Sequence, residues 1–530
     1  MKKGKRFIVS IVVTLLLGFI MFYIFMPPIN IHSSAFWAYF IFLMLVFGII
    51  NFGTGIFSIR NKEFDLKNKR NYYPFILPVF IILLISIINF INGPFFMAKK
   101  YANRITINNG VFDEEIKEVN FNTLAIVDRN SSEKLGDRVM GSIDELVSQF
   151  EVSNLYTQIN YKEDIVRVTP LDYSDWIKYF TNKKNGIPGY ITVNSVTGEA
   201  KLVKLDNGMN YSVNALFFNN IYRKLRFSYP FEIFGDLSFE IDNEGVPYYI
   251  MPTISYSAVG KREDINGAII LNAITGESEK YDVNEIPVWV DHVYSPDLII
   301  EQVDDWGSYS NGFWNTLFGQ KGMKMTTDGY NYIAQDNDIF MYTGITSIVS
   351  DESNLGFILT NLRTKETKFF DCPGAEEYSA MDSAKGAMQQ MNYTASFPIL
   401  INLSGRPTYV VSLKDDAGLV KMYAFVDVSD YQKVVVTDSK EGIESAAYNY
   451  LNNNGIITKG NEKNIIVSNI TTVIIDGNTY YYIIDKDNDK YRASIKINSN
   501  ILPFVKVGDN LHITYANKEI KEITNIQIIN

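Results

Sequence analysis

Apolar residues are spread unevenly along this chain. From Phe7 to Ile59 there is no Lys, Arg, Asp or Glu, and a second uncharged stretch runs from Asn71 to Ala98. Three runs inside them, Phe7–Met26, Ala35–Ile59 and Tyr72–Ile91, can each cross a bilayer core of ~30 Å, which takes ~20 helical residues. Three such runs within the first hundred residues, with charges only between them, predict transmembrane helices rather than buried core helices. The first run follows Lys2, Lys3, Lys5 and Arg6 as a signal peptide would. It is long for one, however, and ends Phe25-Met26-Pro27-Pro28 with no small-x-small cleavage site, so it is expected to stay.

Beyond Ala98 the period shortens to two. Brief alternating runs bounded by Gly, Asn and Pro predict many short strands with a few helices, an α+β ectodomain. Two motifs recur. Val193-Asn194-Ser195-Val196-Thr197-Gly198-Glu199 returns as Leu271–Glu277, and in degraded form as Leu359–Glu366. Asn and Gly supply the positive φ of a tight hairpin and Thr can cap it, so these residues are expected to be turn chemistry rather than a binding triad. Gly-x-Pro-x-Tyr appears at Gly186–Tyr190, Gly245–Tyr249 and Gly405–Tyr409, as strand–turn–strand corners with Pro where its missing N–H is harmless. Amphipathic helices are expected at Val213–Leu225 and Ala375–Met391, the second with Tyr378, Met381, Ala384, Met388 and Met391 as a core-packing stripe. Gly141–Glu145 is expected to be an N-cap followed by acidic first-turn residues.

The order helix, strand, Gly-x-Pro-x-Tyr corner, strand, Asn-x-x-Thr-Gly-Glu turn, strand resembles the PepSY family of small extracytoplasmic α+β modules. Residues 213–281 carry the resemblance best. Residues 375–436 follow with a divergent turn at Phe425–Ser429, and 161–203 hold a partial copy. About a third of the chain is covered, by motifs of low specificity. The family implies binding, inhibition or regulation at the cell surface. Residues 110–440 also look like large membrane proteins of low-GC Gram-positive bacteria.

A polar break at Asn452–Gly455 marks a linker. Five or six alternating segments follow: Ile465–Val467, Thr472–Ile475, Thr479–Ile484, Tyr491–Ile497, Asn510–Tyr515 and Ile523–Ile528, with a Gly508-Asp509 turn entering one of them. This all-β tail resembles an OB-type or other small barrel. The expected organisation is a transmembrane region at 1–98, ectodomain modules at 99–290 and 291–450, and a barrel at 455–530.

Composition narrows the chemistry. At 47% hydrophobic and 20% charged, the 530 residues cannot be wholly disordered. The single cysteine, Cys372, excludes internal disulfides and CxxC sites, and three histidines leave little for His-based metal or catalytic centres. Nine basic residues flank the cytoplasmic ends implied by the positive-inside rule, four before the first run and Arg60, Lys62, Lys67, Lys69 and Arg70 after the second. They outweigh Lys99 and Lys100 and place everything beyond Ala98 outside a plasma membrane. Residues 101–530 hold 38 basic and 57 acidic residues, a balance unsuited to non-specific nucleic-acid binding.

Candidate sites are few. Asp485, Asp487 and Asp489 imitate half an EF-hand loop, but Lys490 and Lys496 stand where Gly and a bidentate Glu are needed, so a solvated turn is expected. Asp304-Asp305 and Asp336-Asn337-Asp338 could help hold a Ca²⁺ ion, though solvated acids are the expectation, and no metal or cofactor is predicted. Trp289, Asp291 and His292 cluster, yet neighbours on a strand face opposite ways, so a structural role is expected. No Gly-x-Ser-x-Gly, HExxH, P-loop or Rossmann motif is present. Trp306, Tyr309 and Trp314, interleaved with Asn311, Gly312 and Asn315, are candidates for carbohydrate or peptide contact through stacking and amide bonds, with buried packing beneath the membrane-proximal surface as the first expectation. The sequence therefore predicts a non-enzymatic, membrane-anchored binding or scaffold protein of the cell envelope, with envelope proteins or wall polymer as partners. Regulation or inhibition of an extracytoplasmic peptidase is the alternative. Nucleic-acid handling rests on the tail alone, whose nine basic and eight acidic residues offer no basic groove.

Overall fold

A computed structural model describes residues 3–56, 72–348, 350–454, 461–475, 478–495, 497–516 and 520–529. The chain divides into two compact units, Met1–Val434 and Val435–Asn530.

The first unit begins with three helices long and apolar enough to cross a membrane: α1 (Lys3–Phe25), α2 (Ser34–Ile56) and α3 (Tyr73–Ile91). Neighbouring helices meet through Tyr39, whose hydroxyl donates to the Gly18 carbonyl at 2.9 Å, and through the edge-on rings of Phe7 and Phe47. Their flanks, including Leu15, Phe19, Phe80 and Leu83, are not covered by protein. The basic loop from Arg60 to Arg70 lies outside the described residues. A short helix, α4 (Pro94–Ala102), follows α3 after two residues.

Four antiparallel sheets then succeed one another. Each is built on one plan: two short strands pair with the same long strand, two more strands follow in a meander, and a helix precedes the whole. In the first sheet Phe150–Val152 and Thr157–Tyr161 both pair with Asp164–Tyr173. In the second, Ile233–Phe234 and Ser238–Ile241 pair with Pro247–Ala258. In the third, Lys324–Thr326 and Asn331–Gln335 pair with Asp338–Ser347. In the fourth, Thr394–Ala395 and Ile399–Leu403 pair with Arg406–Lys414. The region expected to hold a partial copy is thus a full sheet. An additional strand, Ile107–Gly110, joins the third sheet by parallel pairing with Thr367–Phe370.

The recurrent turn has the same hydrogen bonds wherever it occurs. Asn194 Oδ1 accepts from the amides of Val196 and Thr197, Asn272 from Ile274 and Thr275, and Asn361 from Arg363 and Thr364. Gly198 and Gly276 take φ of +75°. The third copy puts Lys365 at +64°, a region costly for a side chain, and anchors it by ion pairing to Asp264. In the fourth sheet Asp427 replaces Asn, accepting from Ser429 and Asp430. The Asn, Thr and Gly are turn chemistry throughout. Tyr249 and Tyr409 of the Gly-x-Pro-x-Tyr corners are buried at the start of the long strands. Gly186–Tyr190 sits one strand later in its sheet, because helix Trp176–Asn182 is inserted ahead of it.

Two expected helices are shorter than their sequence pattern. In place of Val213–Leu225 there is one 3₁₀ turn and then Ile221–Ser228, started by Asn220, whose side chain caps the amide of Arg223. In place of Ala375–Met391 the helix is Glu377–Ala387, and its buried face is Glu377, Ala380 and Ala384; of the expected stripe Ala384 is buried, Met381 and Met388 are half-buried, and Tyr378 and Met391 are exposed. Ser142 caps no N-terminus but ends helix Arg129–Gly141, its hydroxyl donating to Val139 O.

Successive sheets share cores. Ile159, Val168 and Ile191 of the first pack with Phe239, Met251 and Leu271 of the second. Ile250 and Ile270 of the second meet Ile339, Met341 and Ile358 of the third over helix Pro296–Tyr309. Tyr342, Phe357 and Phe370 of the third meet Leu400, Tyr409 and Val426 of the fourth. Each fully buried large side chain contributes ~1.5–3 kcal/mol. The fourth sheet returns to the first through an ion pair between Lys414 and Asp128, where Asp128 caps the helix preceding the first sheet, and through Lys134 Nζ donating to Ala417 O at 2.8 Å. The sheets therefore close a ring with a propeller-like plan.

In the second unit, helix Ile443–Asn453 precedes a closed five-stranded barrel. The first two expected segments are one strand, Asn461–Ile475, which pairs with Asn510–Ala516 through its first half and Asn478–Asp485 through its second. Lys490–Ser494 and Lys521–Ile529 complete the barrel as its parallel contact. Ile465, Ile483, Tyr491, Leu511 and Ile526 fill it. Gly508, at φ +97°, makes the turn into Asn510–Ala516.

Candidate functional site

The break between the two short strands recurs in all four sheets, and the four breaks face one cavity of about 870 Å³. The first sheet contributes Asn154 to Gln158, the second Asp236 to Ser238, the third Tyr330 to Tyr332 and the fourth Thr394 to Phe397. Asp128, Arg167, His292 and Lys414 complete the polar wall. Ending a short strand frees its side chains and backbone from the ladder, and closing the ring brings four such ends together. The wall is thus a mixture of phenol rings, amides and hydroxyls with a few charges.

Arg167 is opposite Gln158 in the first sheet. It is buried and donates to the Val127 carbonyl. Burial pushes its guanidinium down to about 10, with Asp128 partly opposing. Burial also raises the Asp128 carboxyl, but the Lys414 ammonium and the Ser131 amide outweigh it and hold it below its ordinary value. Gln158, only 2% exposed, has an Nε2 with no hydrogen-bond partner among the described residues, and so does the Tyr156 hydroxyl. Buried donors without partners are costly. Here both belong to residues lining an open cavity.

Beside the cavity lies a buried polar node. Glu240 accepts the amides of Asp291 (2.8 Å) and His292 (3.0 Å) and the Ser238 hydroxyl; Asp291 accepts the Asn160 amide at 2.7 Å. His292 Nε2 lies 2.6 Å from Gln158 O, and its ring is edge-on to Tyr332. Burial drives Glu240 up to about 7, Asp291 well above its ordinary value with Glu240 adding to it, and His292 down to about 4. Asp291 and His292 lie in a loop, not a strand, and their side chains bond to different partners. Trp289 packs on Tyr248 at 5.0 Å. The cluster joins sheets.

The sequence-predicted rings pack against different partners. Trp306 is half-buried on helix Pro296–Tyr309 beneath the Lys324 ammonium, Tyr309 meets Tyr101, and Trp314 is exposed, stacked on Phe318. The amides expected to meet a ligand bond within the loop: Asn311 and Asn315 donate to Lys321 O, at 3.0 and 3.1 Å. The acidic turns are likewise occupied. Asp304 accepts from Thr326, Asp305 pairs with Arg104, Asp336 with Lys117, and Asp338 accepts from Nε and Nη2 of Arg363. In the barrel, Lys463 Nζ stands where a cation would, 3.0 Å from Asp485 and Asp487 and 2.9 Å from Asp489; Lys521 and Lys463 together push Asp489 down to about 2. Among the described residues no group of three His, Cys, Asp or Glu is arranged for a metal.

Sequence reading missed the cavity because its residues run from Asp128 to Lys414. One local signal was present: Arg167 interrupts Ile165-Val166-x-Val168, a run buried on both faces, where an unpaired charge is unexpected.

No protein-family model matches the chain, and no curated protein matches it. Among solved structures it is similar to an exo-β-1,3-galactanase from Clostridium thermocellum, at 8% identity over 73% of this chain and 68% of that one, with a TM-score of 0.18. A levansucrase variant from B. megaterium matches at 9% identity over 78% and 97%, with a TM-score of 0.18. A Trypanosoma rangeli sialidase matches at 10% over 71% and 54%, with a TM-score of 0.12. Scores this low carry neither fold nor activity over to this chain.

Proposed function

We propose that this is a membrane-anchored extracytoplasmic binding protein of the cell envelope, non-enzymatic, which takes a segment of wall polymer or of an envelope protein into the cavity at the centre of its four sheets. One observation carries the reading: all four sheets turn the same broken strand toward one polar, tyrosine-lined cavity. Tyr156, Tyr330 and Tyr332 offer stacking faces, Asn154 an amide, and Arg167 a charge for an acidic group. The fourfold helix-and-sheet repeat supports the PepSY-like resemblance. The barrel's strand order, with its third and fifth strands parallel, supports the OB-like one. The N-terminus is cytoplasmic and residues 99–530 lie outside, on the bias of basic residues.

Detergent-solubilised full-length protein, probed by native mass spectrometry with muropeptides and teichoic-acid fragments, should retain one of them. Tyr330→Ala should weaken that retention ~10–30-fold, a hot-spot loss of ~2 kcal/mol. Retention that Tyr330→Ala leaves unchanged moves the site out of the cavity, and no retention of any fragment or partner overturns the binding reading. Protease added to intact protoplasts should digest residues 99–530; protection until lysis overturns the orientation.

A further inference from the structure

We infer that the segment Phe313–Phe318 is an interfacial membrane foot: it seats its rings in the lipid headgroup boundary beside the end of α3, on the side that bears residues 99–530. The inference rests on reading α1–α3 as membrane spans.

The geometry begins with α3. Its 19 residues rise ~28 Å at 1.5 Å each, close to the ~30 Å hydrocarbon thickness, so Ile91 reaches the boundary as the helix ends. Phe95 follows within four residues, and its ring meets Phe313 at 5.2 Å and Trp314 at 5.7 Å. These rings therefore lie at the level where the span leaves the hydrocarbon. Trp314 is 60% exposed and Phe318 75%, stacked at 5.8 Å with Leu317 exposed beside them.

An exposed apolar cluster of this kind needs an occupant, and the lipid boundary is the one continuous with what the cluster already touches. Trp and Phe are favoured at this depth, and the exposed Lys99, Lys100 and Lys321 place ammonium groups where phosphates lie. The loop is built for rigidity rather than for capture. Asn311 and Asn315 grip the Lys321 carbonyl, and the Thr316 hydroxyl donates to Ser308 O at 2.6 Å. Its amides are consumed holding the rings outward, which a glycan site would need free.

A second foot repeats the logic at the end of α1. Tyr23 meets Phe218 at 6.0 Å, and exposed Phe217, Phe180 and Trp176 continue the row away from the helix. Between the feet the ectodomain is bolted to the helix ends. Arg226 donates to Met26 O, Asn89 to Val259 O, and the Gly260 amide to His32 O.

The test uses the five tryptophans of the full-length protein. Variants keeping only one each, the other four replaced by Phe, are reconstituted in phosphatidylcholine nanodiscs with and without brominated acyl chains. Trp37, on α2, reports whether the spans are in lipid; Trp289, packed on Tyr248, is the control away from the boundary. Trp314 should lose emission to brominated lipid to an extent comparable with Trp37 and be shielded from aqueous iodide, with Trp176 behaving likewise. Trp314 open to iodide and untouched by brominated lipid, while Trp37 is quenched, overturns the foot and leaves the spans. Trp37 unquenched overturns the membrane reading beneath it. If the multiple Phe background fails to fold, the difference between wild type and Trp314→Phe gives the same measurement.

Discussion

In the C-terminal barrel, Asp485, Asp487 and Asp489 gather around Lys463, and Lys521 adds a second cation to Asp489 at 2.9 Å. In the ring of sheets, Glu240, Asp291 and Glu377 are buried and receive amides and hydroxyls instead: Glu240 from Asp291, His292 and Ser238, Asp291 from Asn160, and Glu377 from Thr327. The barrel keeps Asp487 near water, and it gives Asp485, only 2% exposed, a matched cation in Lys463. The ring withdraws its carboxylates from water without a matching cation, which burial then pushes toward their neutral forms. The contrast teaches that acidic residues close in sequence signal little here. The acids that join modules are scattered along the chain and lie singly in strands, loops and helices.

Three measurements on the full-length protein in detergent sharpen the contrast. The largest effect is expected at the ring's closure. Asp128→Ala should cost ~3 kcal/mol in chemical denaturation, because Lys414 would be left buried and unpaired, with Arg167 close by. Adding Lys414→Met should restore part of the loss; if it restores none, the pair is not what closes the ring.

The second concerns pH. Glu240 rises from 4.5 to about 7 on folding, so its stabilising contribution is full below pH 4.5 and lost as pH rises through 7. His292 falls from 6.5 to about 4, so its contribution is full above pH 6.5 and lost as pH falls through 4. The two slopes oppose each other over nearly the same window. Asp291, raised by the same burial, adds a second falling slope, so Glu240→Gln should flatten the fall of stability with pH and His292→Phe should steepen it, each by up to ~1.4 kcal/mol per pH unit. Parallel slopes in both variants would show that the node does not titrate as a unit. The smallest effect belongs to the barrel. Lys463→Met should lower Tm by less than Asp128→Ala does, and added salt should erase the part that belongs to Asp487 and Asp489. A large, salt-resistant loss would mean the barrel's acids are held as tightly as those of the ring.

How much of this was legible in the sequence depended on distance along the chain. The apolar helices and the Asn-x-x-Thr-Gly turns are local, since a run of twenty apolar residues or one Asn capping two amides needs no distant partner. The barrel was legible as alternation, though not as five strands: Thr472–Ile475 continues Ile465–Val467 in a single strand that serves two neighbours. The helix at 213–225 was misplaced because the cap at Asn220 decides its start. Of the stripe at Tyr378, Met381, Ala384, Met388 and Met391, only Ala384 is buried, because the helix turns Glu377, Ala380 and Ala384 inward. The cavity could not be read at all. Its wall is a property of ring closure, and Trp314, the most conspicuous ring in the sequence, points away from the sheets' cores.

The strand Ile107–Gly110 leaves α4 almost at once, yet its partner, Thr367–Phe370, is made about 260 residues later. At ~5–20 residues per second of synthesis, the early segment waits roughly 13–50 s before it can be stitched in. During that interval Ile107–Gly110 has no strand to pair with. Assembly is therefore gated by the arrival of the third module. A chain stalled or truncated before residue 367 would be left with Ile107–Gly110 as an unsatisfied strand, open to proteolysis.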